Sequence, residues 1–225
     1  MISKILFDAF VLLMVYNPVE VAIVLLSIKN PGDKTAVIAL KSVLVVFVLS
    51  FLIIFASSFF FSHLHSSFLQ GDENLYISVV KIIGGIILFW VGWMMIQGKR
   101  ASKLVLNKKE KKEAVIKEDI SIIPLAVPVI LGPGVFTTLI VLGERARSVI
   151  QKEELFIALV ISLLIVYLSL RYSEKLIAFL GLHGIRIVSI ITGLFIMFIS
   201  VVFFIDGIKG AVDYILKFTS PISGG

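Results

Sequence analysis

Apolar residues fall in long unbroken runs separated by short polar stretches, and the runs set the architecture. Six of them approach the roughly 20 residues that a helix needs to cross the hydrocarbon of a bilayer: residues 5–28, 43–61, 76–96, 122–142, 155–171 and 187–205. Polar and apolar residues do not alternate within a run, which excludes the short strands of an outer-membrane barrel. The first run is too long for a cleavable leader and lacks an A-x-A site. The pattern predicts an all-α fold, a six-helix transmembrane bundle.

Composition narrows the function. Of 225 residues, 59% are hydrophobic and 16% charged, with a mean hydropathy of +1.08. Soluble domains carry about 25% charge and leave much of the chain facing water, so a soluble enzyme, a secreted globule and a disordered chain are all excluded. The chain has no cysteine, hence no disulfide framework and no thiolate metal site. H-E-x-x-H, G-x-S-x-G and P-loop patterns are absent, and Gly84, Gly85 and Gly92 lie inside a span rather than after a strand. Neither an enzyme nor a bound cofactor or metal is expected.

The net charge of +6 would point to nucleic acid in a soluble protein. Here it gives orientation, and no nucleic-acid partner is expected. Lysine and arginine beside spans concentrate on the cytoplasmic side. With residues 98–121 placed inside, fourteen of the 21 basic residues fall on the cytoplasmic side and six outside, Lys81 lying within span three. Both termini are then outside the cell membrane, and the lysine-rich 98–121 linker is cytoplasmic.

The linker separates a first three-span unit, residues 1–97, from a second, residues 122–225. Three is odd, so the second unit enters the membrane inverted, and likeness between the halves would make an inverted repeat of the kind many secondary transporters use. Spans three and six each hold small residues seven apart, Gly85 with Gly92 and Gly193 with Ser200. That spacing puts them on one face, where helix backbones approach closely in lipid.

Spans one and four are both interrupted near the middle, by Asn17-Pro18 and by Gly132-Pro133-Gly134. Proline inside a helix lacks an N–H and clashes with the preceding turn; at the first position of a new helix it is favoured, after Asn or Gly as cap. Each span therefore reads as a helix that stops and a half-helix that starts at proline. Residues 18–28 number 11, about 16 Å of helix, close to half of a roughly 30 Å core.

A helix broken at mid-membrane offers free N–H groups to anions and free carbonyls to cations. A small zwitterion such as an amino acid suits such a pair of ends. Gly132 and Gly134 leave room for close backbone approach, and Thr137 and Thr138 add hydroxyls just past the break. Glu20 is the sharpest single residue, because an ionisable group deep in a span is a functional candidate by default. Asn17-Pro18-Val19-Glu20 also has the spacing of a capping box, with Glu20 bonding back to the N–H of Asn17. Capping, proton coupling and ammonium binding all stay open for Glu20. Asn17, Pro18, Glu20, Gly132, Pro133, Gly134, Thr137 and Thr138 are thus expected to line one small substrate cavity. Lys41 and Lys81 are expected to snorkel to span ends, with Asp8 and Asp206 at the outer interface.

Four stretches carry a resemblance to a known family: YNPVEVAIVLLSI, KIIGGIILFWVGWMMIQG, IPLAVPVILGPGVFTTLIVL and ITGLFIMFISVVFFIDGI. On these the chain resembles the MarC family of six-span inner-membrane proteins, which includes small neutral amino acid transporters of the SnatA type. The string P-L-A-x-P…G-P-G, residues 124–134, is the most specific of the four. The resemblance implies two inverted three-helix repeats with the Asn17-Pro18 and Gly132-Pro133-Gly134 turns facing one another. Many members continue the first motif as N-P-x-G-x-x-P, whereas here Glu20 fills the glycine's place and no second proline follows. The function implied is secondary transport of glycine, alanine or serine by alternating access, with H⁺ or Na⁺ as the coupling ion. A channel or facilitator and a non-transporting membrane component are the other readings.

Overall fold

The computed structural model describes residues 2–67, 73–98, 119–146 and 148–219. Most of the 98–121 linker lies outside the described residues. The helices are α1 (Ile2–Tyr16), α2 (Pro18–Ile28), α3 (Thr35–Ser67), α4 (Glu73–Ile96), α5 (Pro133–Arg145), α6 (Val149–Arg171) and α7 (Ser173–Thr219), with a wound, proline-bearing segment at Ser121–Ile130 before α5. Among the described residues, five stretches are long and apolar enough to cross a membrane: Ile2–Ile28, Thr35–Ser57, Leu75–Ile96, Val149–Arg171 and His183–Lys217. The proline segment and α5, bent by 65° to one another, make the sixth when taken as one span. Among the described residues every regular element is helical, and the architecture is that of a multi-pass integral membrane protein.

Local chemistry fixes where several of these helices begin and bend. The capping box of α6 is complete: Gln151 N–H donates to Ser148 Oγ (3.2 Å) and Ser148 N–H to Gln151 Oε1 (3.3 Å). This satisfies two of the donors that a helix N-terminus leaves without intrahelical partners. Within α7, Gly181 has a φ of 60°, a left-handed conformation that glycine enters without penalty, and the helix turns there before its membrane-crossing part.

The small residues of spans three and six meet as their spacing predicts. A β-carbon on Gly85 would stand 2.8 Å from the Ser200 carbonyl oxygen, one on Gly92 2.7 Å from that of Gly193, and one on Gly207 2.7 Å from that of Ser78. Each pair is seven residues from the next, descending one helix as it ascends the other. The result is an antiparallel seam of near backbone contact along α4 and α7. Around this seam the packing is reciprocal: α1 lies on α6 and α5 on α3, while α2 lies on α7 and α5 on α4. Leu12, Tyr16, Leu88, Leu139, Leu159 and Ile196 are fully enclosed between them. Trp90, Phe179 and Phe198 point outward, as suits helices solvated by lipid.

Ion pairs gather at the two ends. Lys41 reaches Asp119 at 2.8 Å and Lys29 pairs with Glu174; Lys4–Glu154 (3.5 Å), Lys81–Asp206 (3.6 Å) and Arg145–Asp206 (2.7 Å) involve the opposite ends of their helices. Lys41 and Lys81 thus carry their ammonium groups to span ends where a carboxylate waits.

Candidate functional site

The first interruption is gentler than a full break. Asn17 takes the left-handed conformation (φ 49°, ψ 69°) and Pro18 opens α2. Asn is one of the few non-glycine residues that visit this region routinely, and proline is favoured at a first helical position. Backbone bonding nevertheless runs through the junction, Asn17 N–H to the Leu13 carbonyl (3.0 Å) and Val21 N–H to the Asn17 carbonyl (3.1 Å). The expected capping box is therefore not formed. The N–H of Asn17 is already held by α1, and Asn17 makes no side-chain cap bond. Glu20 accepts instead from the Asn17 side-chain amide, and both residues are buried, at 4% and 2% exposure. One residue earlier, the Tyr16 hydroxyl bonds Ser50 Oγ at 3.0 Å and ties the end of α1 to α3.

The second interruption is sharper and differs from expectation on its first side. Residues 121–130 do not form the regular half-helix that the sequence predicts. Ile123 (φ −121°, ψ 123°) and Val127 (φ −131°, ψ 125°) are extended, because each precedes a proline whose ring excludes the helical region for its neighbour. The half-helix that follows begins as expected, with Gly132 as cap and Pro133 at its first turn. The hydroxyls of Thr137 and Thr138 both donate to carbonyls within α5. Thr137 Oγ1 donates to the Pro133 carbonyl (3.0 Å) and Thr138 Oγ1 to the Gly134 carbonyl (2.8 Å).

The two interruptions adjoin but open on different cavities. Leu88 and Val15 approach to 3.0 and 3.8 Å of the β-carbon position of Gly134, so apolar side chains fill the space beside the second break. Gly132, Pro133 and Gly134 face a cavity of about 780 Å³ shared with Gly85, Trp90 and Ser200 of α4 and α7. Among the described residues, none in its lining is charged. Asn17 and Glu20 face a smaller one, about 190 Å³, shared with Gly98, Arg186 and Ser189. The small cavity therefore holds the charge, a carboxylate and a guanidinium.

Arg186 and Gly98 were not legible as site residues. In the sequence Arg186 is one of many basic residues beside a span, and Gly98 is the first residue of the lysine-rich linker. The structure couples them. Gly98 has a φ of +69°, and Arg186 Nη1 lies 1.6 Å from where its β-carbon would stand. Arg186 Nη2 donates to the Ile96 carbonyl at 3.1 Å. The end of α4 thus lies against the guanidinium, and the left-handed backbone conformation of Gly98 is what favours glycine there.

A family model described as MarC family integral membrane protein matches residues 2–212. The chain is 31% identical over 207 residues to a UPF0056 membrane protein of Aquifex aeolicus, covering 90% of this chain and 91% of that one. It is 32% identical over 144 residues to the UPF0056 membrane protein YhcE of Escherichia coli, covering 64% of this chain and 66% of that one. It is also 28% identical over 163 residues to the UPF0056 membrane protein YvbG of Bacillus subtilis, covering 72% and 75%. No solved structure matches the chain.

Proposed function

The chain belongs to the MarC family of integral membrane proteins, and on that premise we propose that it is a secondary transporter of small neutral amino acids, of the glycine, alanine and serine class. It works by alternating access of two inverted three-helix repeats, residues 1–97 and 122–225, with H⁺ or Na⁺ as coupling ion. It sits in the cytoplasmic membrane with both termini outside and the 98–121 linker inside, and it performs no covalent chemistry.

One observation carries this reading: the interrupted first spans of the two halves adjoin, Val15 against Gly134, with the buried carboxylate of Glu20 one turn past Tyr16. Interrupted spans in corresponding positions of two halves mark the substrate site of inverted-repeat transporters. The reciprocal packing supports the repeat, since each first span lies on the middle span of the other half, α1 on α6 and α5 on α3.

The test is uptake of labelled glycine or alanine into proteoliposomes holding the purified chain, under a pH or a Na⁺ gradient. Saturable, gradient-driven accumulation is expected. Flux that rises linearly with concentration supports a channel or facilitator instead, and no uptake of any small amino acid under either gradient sinks the proposal.

A further inference from the structure

We propose that the small cavity between the α1–α2 junction and the start of the membrane-crossing part of α7 recognises both charges of the substrate, Arg186 taking the carboxylate and Glu20 the ammonium. This assignment rests on the transport reading above and names the groups that perform the recognition.

Glu20 and Arg186 bring opposite charges to one space of about 190 Å³. A guanidinium carries five N–H donors in a fork that matches a carboxylate in two parallel bonds. Its bond to the Ile96 carbonyl engages one arm and orients the rest. Gly98 lets the group lie against the backbone at the end of α4, where any side chain would displace it. On the other wall, the Asn17 amide holds one oxygen of Glu20. A carboxylate has about four lone-pair sites, so the same group can also accept from an ammonium.

Selectivity follows from the same arrangement. The two side-chain charges cancel, so a zwitterion satisfies both and adds none. An acidic or basic amino acid would bring a third charge into a space without a partner for it, and such a charge is costly away from water. The larger cavity beside Gly132, Pro133 and Gly134 offers none of this, because no described residue of its lining is charged. Arg186 is exposed and Glu20 is buried, so the site has a carboxylate-reading mouth and an ammonium-reading floor.

The experiment uses the full chain in proteoliposomes and measures glycine counterflow. In the wild-type protein, excess alanine is expected to compete with labelled glycine, whereas acetate and methylamine, each with one of the two charges, are not. Competition by either as strong as that of alanine overturns the assignment without any variant having to fold. Among variants that elute and melt like wild type, Arg186→Gln is expected to raise the KM for glycine about tenfold or more, as loss of a charge-assisted pair of hydrogen bonds would. Arg186→Lys recovers part of this, and Gly98→Ala shifts KM in the same direction as Arg186→Gln. Wild-type transport with unchanged KM in Arg186→Gln and Gly98→Ala overturns the assignment and leaves the transport reading standing. No wild-type transport at all removes both.

Discussion

The γ-methyl of Thr137 stands in the space that a β-carbon on Gly84 would need, 1.9 Å from its ideal position. Thr137 is β-branched, stiff at χ1, and its hydroxyl is tied to the Pro133 carbonyl at 3.0 Å, so the methyl cannot swing away cheaply. Thr137 thereby locks the start of α5 onto α4. Gly84→Ala is expected to destabilise the protein by about 1–3 kcal/mol, the usual cost of overpacking. Thr137→Ser removes only the methyl and should recover most of that loss. A double-mutant cycle on melting temperature in detergent reads the coupling; strictly additive effects would show that the two residues do not meet.

The fold was largely legible because lipid imposes one simple demand, a long apolar run for each crossing, and because small residues at heptad spacing in spans three and six left a mark that survives without coordinates. What the sequence concealed lay in competition among local rules. Asn17-Pro18-Val19-Glu20 satisfies the spacing of a capping box, yet the N–H of Asn17 was taken by Leu13, a choice the four letters do not encode. Residues 122–131 are apolar enough for a helix, but Pro124 and Pro128 drive Ile123 and Val127 extended. The pairing of Arg186 with Gly98 joins residues nearly ninety positions apart, and no periodicity reports that.

The seam of α4 on α7 behaves differently from the Gly84–Thr137 contact. A β-carbon on Gly92 would meet the Gly193 carbonyl at 2.7 Å as well as Met197 Cγ at 2.7 Å. Backbone cannot step aside as a side chain can. Gly92→Ala is therefore expected to cost about 3 kcal/mol, at the upper end of overpacking, and Met197→Ala should fail to restore it. Recovery of the wild-type melting temperature by Met197→Ala would place the obstruction in the side chain instead.

At the start of the proline segment the chain is pinned electrostatically. Asp119 pairs with Lys41 at 2.8 Å and accepts from the Ser121 N–H at 3.0 Å. The Lys41 ammonium foremost, and Ser121 after it, hold the Asp119 carboxyl down at about 2, below its ordinary 3.8. A depressed carboxylate contributes stability above its unfolded value and loses it as pH falls through the folded one. The contribution is present near neutrality and fades between about pH 4 and pH 2. The pair is partly exposed, so it is worth under about 1 kcal/mol. Asp119→Asn should flatten that part of the melting-temperature profile against pH, and 1 M salt should weaken it in the wild type; an unaltered acid limb in the variant would remove Asp119 from the account.

Glu20→Gln separates charge from shape at the heart of the site. Glutamine keeps the length of the side chain and can still accept from the Asn17 amide that Glu20 engages, so the α1–α2 junction should persist and the protein should melt within about 1 kcal/mol of wild type, as for a single neutral hydrogen bond retained. What disappears is the negative charge facing Arg186 across the small cavity. An ammonium then has no anionic partner, and a proton driven by the gradient has no carboxylate to ride on. Glycine exchange at saturating concentration should survive with a raised KM, while accumulation under a pH gradient should be lost. Accumulation and KM both equal to wild type, in a variant of unchanged stability, would reduce Glu20 to a partner of Asn17 at the helix junction and move the transport charge elsewhere.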